Sequence, residues 1–147
     1  MLQEENKYYH ALKLVPSLGP RRIKRLIDYF KTPQEAWKAP KEDLLRLDKF
    51  GVRLVDEFLR RRSMIDPDRA WEGILKKNIK VISWDEPGYP HLLKEIYDPP
   101  PLLYYQGDIG VLRDSCLAIV GSRRHTAYGK EIAYKFAAKL ADYGLTI

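Results

Sequence analysis

From about Lys7 to Leu75 the apolar residues recur at spacings of three and four. Leu12, Val15 and Leu18 are followed by Ile23, Leu26, Ile27 and Phe30, which predicts amphipathic helices joined by short connectors. Pro16-Ser17-Leu18-Gly19-Pro20 breaks the first pair. Pro20 falls in the first turn of the next helix, where its missing N–H costs nothing. Thr32-Pro33-Gln34-Glu35 is a helix start, with Thr32 as N-cap, Pro33 at the first helical position and Glu35 at the third. Leu44, Leu45 and Leu47 continue the pattern. A last basic helix then runs through Leu54, Val55, Phe58 and Leu59 to Arg60-Arg61-Arg62.

The pattern changes after about Lys77. Ile79-Lys80-Val81-Ile82-Ser83 and Leu102-Leu103-Tyr104-Tyr105-Gln106 read as short strands, the second followed by a Gly107-Asp108 turn. Asp98-Pro99-Pro100-Pro101 lies between them, and three consecutive prolines fix an extended segment that is neither helix nor central strand. Leu117 to Val120 is a continuous apolar run, as expected of a parallel strand covered on both faces. Cys116 at its start is expected to be a small core residue. A glycine turn follows at Gly121, then a helix carrying Ile132, Ala133, Phe136, Ala137, Leu140 and Ala141. Gly144 is its C-cap and Leu145-Thr146-Ile147 begins a new strand. Strand, glycine turn, helix, strand is the opening of a βαβ unit. A lone unit leaves its strands uncovered, so we expect either a piece of a longer protein or completion of the α/β half by another chain.

Composition narrows the class. Of 147 residues 45% are hydrophobic and 31% charged, with ten Tyr and three Trp, values ordinary for a globular protein. Trp37, Trp71 and Trp84 are expected in the core or at a domain interface. The net charge of +6 is uneven. Residues 1–70 hold 16 Lys and Arg against 11 Asp and Glu, the remainder 10 against 9, so a polyanion partner is favoured for the N-terminal half. A single cysteine excludes an internal disulfide. The acidic N-terminus is unlike a signal peptide, and no apolar run approaches bilayer-spanning length. A cytoplasmic location is therefore expected.

Two glycine features carry candidate chemistry. Gly19 and Gly51, 32 residues apart, each follow an apolar residue between two helices. Leu18-Gly19 leads into Arg21, Arg22 and Lys24, and Phe50-Gly51 into Arg53. This resembles tandem helix-hairpin-helix units, in which hairpin N–H groups hold a DNA phosphate without reading sequence. A full motif has a second glycine two positions earlier. Here Ser17 and Asp48/Lys49 occupy that region, and Asp48 opposes an anion. The second feature is the turn at Gly121. N–H groups of Gly121, Ser122 and Arg123 can point into one anion site at a helix N-terminus, with Arg123 and Arg124 adding charge. The turn is not G-x-G-x-x-G, which disfavours a dinucleotide cofactor.

The string Tyr89-Pro90-x-Leu92-Leu93-x-x-Ile96-x-Asp98-Pro99-Pro100, then Leu103-Tyr104-x-x-Gly107, then Ala118-Ile119-Val120-Gly121-Ser122-Arg123-x-x-Thr126-x-Tyr128-Gly129 closely resembles the DNA-processing protein A (DprA/Smf) family of bacteria. The resemblance covers Lys77 to Ile147 strongly and the helical region weakly. It implies an α+β protein. An all-α domain of helix-hairpin-helix or SAM-like type spans 1–75, and an incomplete Rossmann-like DNA-binding domain spans 76–147. It also implies a protein without catalytic activity or cofactor that coats single-stranded DNA, helps load a RecA-type recombinase during natural transformation, and forms a homodimer through its Rossmann-like domain. Gly121, Ser122, Arg123 and Arg124 fall at the phosphate pocket, with Thr126 and Tyr128 shaping the start of its helix.

The residues themselves assemble no catalytic constellation. His10, His91 and His125 are scattered, and Asp85-Glu86 reads as a solvated loop rather than a carboxylate pair. A phosphoribohydrolase-like enzyme also uses a glycine turn for phosphate but carries a later P-G-G-x-G-T motif, which is not present. A helical protein-interaction module is the other alternative.

Overall fold

The computed structural model describes residues 2–113 and 115–147, with side chains described over 5–112 and 115–147. It divides into two compact units, 1–106 and 107–147. The first contains α1 (Leu2–Lys13), α2 (Pro20–Phe30), α3 (Pro33–Lys38), α4 (Lys41–Leu44), α5 (Val52–Arg62) and α6 (Pro67–Leu75). Then come β1 (Lys80–Ser83), the one-turn α7 (His91–Lys94) and β2 (Leu102–Tyr105). This is a mixed helical and strand architecture, α+β in class.

Helix starts follow the local chemistry. Thr32 Oγ1 accepts the Glu35 N–H at 3.1 Å, with Pro33 in the first turn. Asp66 does the same for α6, accepting from the N–H groups of Asp68 and Arg69 at 2.9 and 3.2 Å ahead of Pro67. The basic helix through Arg62 is thus followed by a further one, begun by the same cap-then-proline device. The apolar spacing becomes the core: Leu12, Val15, Ile23, Leu26, Leu44, Val55 and Phe58 are buried. Trp37 meets Phe58 edge-on with ring centroids 5.9 Å apart. Trp84 is also buried, whereas Trp71 is half-exposed.

β1 and β2 pair antiparallel, with Lys80 opposite Tyr105 and Ser83 opposite Leu102. A two-stranded ribbon is marginal alone; here it packs on α1, which also packs on α3 and α6. The change of pattern after Lys77 therefore falls inside the first compact unit.

A polar seam fixes the ribbon to α1. Tyr9 donates to Asp85 at 2.5 Å and accepts from Trp84 Nε1 at 2.9 Å. His10 Nδ1 lies 2.7 Å from the Tyr104 hydroxyl. Asn6 donates to Glu86 at 2.9 Å, and the Ser83 N–H donates to the same carboxylate oxygen at 2.8 Å. Asp85-Glu86 is thus a hydrogen-bonded corner, not the solvated loop expected from its sequence. Its carboxylates satisfy donors that burial of α1 would otherwise strand. Burial pushes the Tyr104 hydroxyl up to about 12 and holds His10 below its usual value. Both shifts favour the neutral forms, a protonated Tyr104 hydroxyl against an uncharged His10 ring. The triple-proline segment is anchored as well: Pro101 O accepts the Trp84 N–H at 3.3 Å and Pro100 O the Tyr89 hydroxyl at 2.8 Å.

The second unit holds a 3₁₀ turn (Ile109–Arg113) and α8 (Ala127–Asp142). Gly144, at φ +79°, ends α8 in the left-handed conformation that glycine adopts freely. Cys116 and Thr146 form a parallel bridge, with Leu117 N–H to Thr146 O at 2.8 Å and Thr146 N–H to Ser115 O at 3.0 Å. This is the parallel pairing that the strand–helix–strand pattern predicts. The expected burial is not there: Leu117, Ile119 and Val120 are exposed, Val120 at 90%, and Cys116 is exposed too. The run's bridge to Thr146 is the pairing seen in this unit among the described residues, and Ile119 and Val120 line a hollow beside the start of α8 rather than a closed core.

The seam makes stability pH-dependent with a definite sign. As pH falls, the unfolded chain protonates His10 before the folded one does, because burial depresses the folded value. Stability is full above about 6.5 and declines below it. Urea unfolding followed by tryptophan fluorescence is expected to show the midpoint falling between about pH 7.5 and about pH 5.5, with His10→Gln flattening that fall. Equal falls in both proteins would remove His10 from this role.

Candidate nucleic-acid interface

The turn at Gly121 and the start of α8 build one concave surface. Thr126 caps α8, its Oγ1 accepting the Gly129 N–H at 3.0 Å. Ser122 Oγ accepts the Arg124 N–H at 3.2 Å and closes the preceding loop. The first N–H groups of a helix have no intrahelical partner, and Thr126 takes Gly129's, which leaves those of Ala127 and Tyr128 to outside acceptors. The positive end of a 16-residue helix points the same way. A Cβ on Gly121 would meet nothing within 4 Å. The fold does not demand glycine there, but its absence keeps the backbone approachable.

The concavity is lined by Gly121, Ser122, Arg124, Thr126, His125 and Lys130, among others. Four of the six residues expected at this site therefore come together. Arg123 and Tyr128 are exposed and stand outside the lining. Lys130 is a cation that the sequence reading missed. Its signal is the helical spacing of four from Thr126, which puts both on the α8 face above the turn.

The two hairpins repeat each other closely. Gly19 is the N-cap of α2 at φ −74°, ψ 173°, and Gly51 the N-cap of α5 at φ −73°, ψ 163°. Gly19 O accepts from Arg22 and Ile23 at 3.0 and 3.1 Å, and Gly51 O from Leu54 and Val55 at 3.0 and 3.1 Å. Leu18, Ile23 and Leu26 are buried at the positions where Phe50, Val55 and Phe58 are buried in the second copy. Lys49 adopts φ +63°, the left-handed conformation that the motif's absent first glycine would take without strain.

The hairpin cations are placed as follows. Arg21 pairs with Asp98 at 2.6 Å, Lys24 with Asp28 at 2.9 Å, and Arg22 donates to Ser17 O at 2.5 Å. Arg53 is exposed in the first turn of α5. Asp48, expected to oppose phosphate, lies 4.0 Å from Arg25 of α2, both partly exposed, so the pair is weak. Among the described residues no three His, Cys, Asp or Glu side chains gather where a metal could sit, and no helix is long and apolar enough to cross a membrane.

With this geometry in place, similarity to known proteins gives the class. A family model described as DNA recombination-mediator protein A matches residues 80–147, which include the whole Gly121 turn. Over its full length the chain is 32% identical to Protein Smf of Synechocystis, covering 38% of that protein. It is 36% identical over 80 residues, 54% of this chain, to DNA processing protein DprA of Bacillus subtilis, covering 27% of it. It is 34% identical over 86 residues, 58% of this chain, to Protein Smf of Escherichia coli, covering 22% of it. The chain belongs to the DprA/Smf family. It spans well under half the length of these relatives.

Removing the α8 cap tests the local geometry. Thr126→Ala is expected to cost about 1 kcal/mol of local helix stability. Hydrogen exchange should read this as faster exchange of the Gly129 amide and its neighbours in the first turn. Unchanged protection would mean that the Thr126 hydroxyl does not hold this helix start.

Proposed function

We propose that this chain binds single-stranded DNA through the concavity at Gly121 and belongs to a recombination mediator without catalytic activity. The observation that carries this is the convergence of Ser122, Arg124, Thr126 and Lys130 on one helix N-terminus, inside the segment matched by the family model. Backbone N–H groups, a helix dipole and two cations recognise a phosphate by charge and shape, with no base edge required. Gly121, Ser122 and Arg124 form the phosphate seat and Thr126 sets the helix start. Arg123 and Tyr128, exposed beside it, reach the neighbouring nucleotides.

In this reading residues 1–75 are a helix-hairpin-helix-like domain. Residues 76–147 begin a Rossmann-like DNA-binding domain whose first two strands lie on the helices. The parallel Cys116–Thr146 bridge across α8 supports that beginning. The matched family, DNA recombination-mediator protein A, and the similar DNA processing protein of Bacillus subtilis support the choice of DNA over a small-molecule phosphate. Recombinase loading, homodimerisation and action in the cytoplasm are proposed for the whole protein. The exposed Arg21, Arg22 and Arg53 beside Gly19 and Gly51 add further phosphate contacts.

Fluorescence anisotropy with a labelled oligothymidylate over a series of salt concentrations tests the site. Binding should weaken steeply with salt, since each neutralised phosphate releases counterions. Arg124→Ala should weaken it about tenfold and Arg123→Ala less, both without sequence bias and with a shallower salt slope. Affinity and slope unchanged in both variants would remove the Gly121 turn as the DNA site.

A further inference from the structure

The first unit carries a groove between α2 and the Tyr97–Pro99 segment, made of three hollows that share walls. Cations outnumber carboxylates six to three along it. Tyr97 stands at its edge 85% exposed, so its ring contributes almost nothing to the core. One ring face is covered by the Arg21 guanidinium, whose carbon lies 4.3 Å from the ring centroid. Just after Tyr97 the chain is constrained by Pro99, Pro100 and Pro101 and by the hydrogen bonds to Pro100 O and Pro101 O. An exposed aromatic beside a row of cations is the arrangement that seats single strands, with bases stacking on the ring and phosphates on the basic wall.

One detail gives this groove a sign. Arg21 is engaged by Asp98 at 2.6 Å, yet the two side chains are 58% and 40% exposed, so water competes for both and the pair holds weakly. A backbone phosphodiester carries one negative charge, as Asp98 does, but presents two oxygens that the guanidinium can grip at once, where Asp98 takes only Nε through one oxygen. Lys49 and Arg22 line the hollow on the far side of Arg21, where the two hairpins meet. The central hollow holds about 290 Å³, at the small end for ligand sites, which suits one base rather than a dinucleotide.

We propose that this groove is a second single-strand contact. One base stacks on the free face of Tyr97, and the flanking phosphates take Arg21, Arg22 and Lys49. Asp98 occupies Arg21 until a phosphate displaces it. This rests on the reading that the chain binds single-stranded DNA, but not on the Gly121 turn being where it does so.

The test uses the whole chain and a short labelled oligothymidylate, with the matching duplex as control. Tyr97→Ala should weaken single-strand binding about fivefold or more, the lower end expected of one lost base stack, while Tyr97→Phe stays near wild type. Asp98→Asn should tighten binding, because it removes the competing carboxylate. Photo-crosslinking with a bromouracil-substituted strand should place a crosslink on Tyr97. Binding unchanged in Tyr97→Ala but lost in Arg124→Ala overturns this groove and leaves the Gly121 reading intact. The converse pair of results keeps the groove and removes the Gly121 turn. Weaker or unchanged binding in Asp98→Asn overturns the displacement, and equal affinity for the duplex overturns base stacking. Tyr97 is so exposed that its substitution leaves the fold intact, which a thermal unfolding midpoint checks.

Discussion

The first unit depends on what α1 is required to do on its two sides. Its apolar residues, Leu12 above all, sit in the helical core, while Asn6, Tyr9 and His10 face β1, β2 and the corner between them. Asn6, Tyr9 and His10 each find a partner across that seam. A buried polar group left unpaired costs more than a formed pair gains, so the seam admits essentially one register of the ribbon on the helix. That register in turn sets where the loop from Trp84 to Pro101 leaves the ribbon, and hence where Tyr97 and Asp98 stand relative to α2.

The helical half was legible because its signals are local. Threonine and aspartate caps followed by proline, and apolar residues three and four apart, act within one or two turns. Both strands of the ribbon were readable for the same reason. What could not be read was the pairing of residues far apart in the chain. Asp85-Glu86 looks like a solvated loop until α1 is laid against it. Asp48 looks unpaired until Arg25 is seen beside it. The run from Leu117 to Val120 misled in the opposite way. Its composition is that of a covered strand, but composition cannot supply the neighbours that cover it.

The candidate site was legible in part. The glycine turn and its helix were visible as a motif, and Ser122, Arg124 and Thr126 do meet there. Lys130 was missed because it belongs to the helix rather than to the motif. Arg123 was expected from the Gly121-Ser122-Arg123 string and from its charge; its side chain is exposed and stands outside the lining. The hairpins show the same lesson at the level of the backbone. Lys49 holds a glycine-like conformation that no residue-type rule anticipates, and the repeat of buried positions around Gly19 and Gly51 carries the likeness that the missing glycines obscure.

Two basic surfaces, one in each compact unit, are thus assigned to one polyanion. Hydrogen exchange of the chain with and without a saturating single strand tests that assignment most directly, because it reports on both surfaces at once without altering either. The account predicts slowed exchange in two separate places, the first turn of α8 with its preceding loop and the start of α2 with the segment around Tyr97. Protection confined to other helices, or none in either place under conditions where the strand is bound, would contradict it.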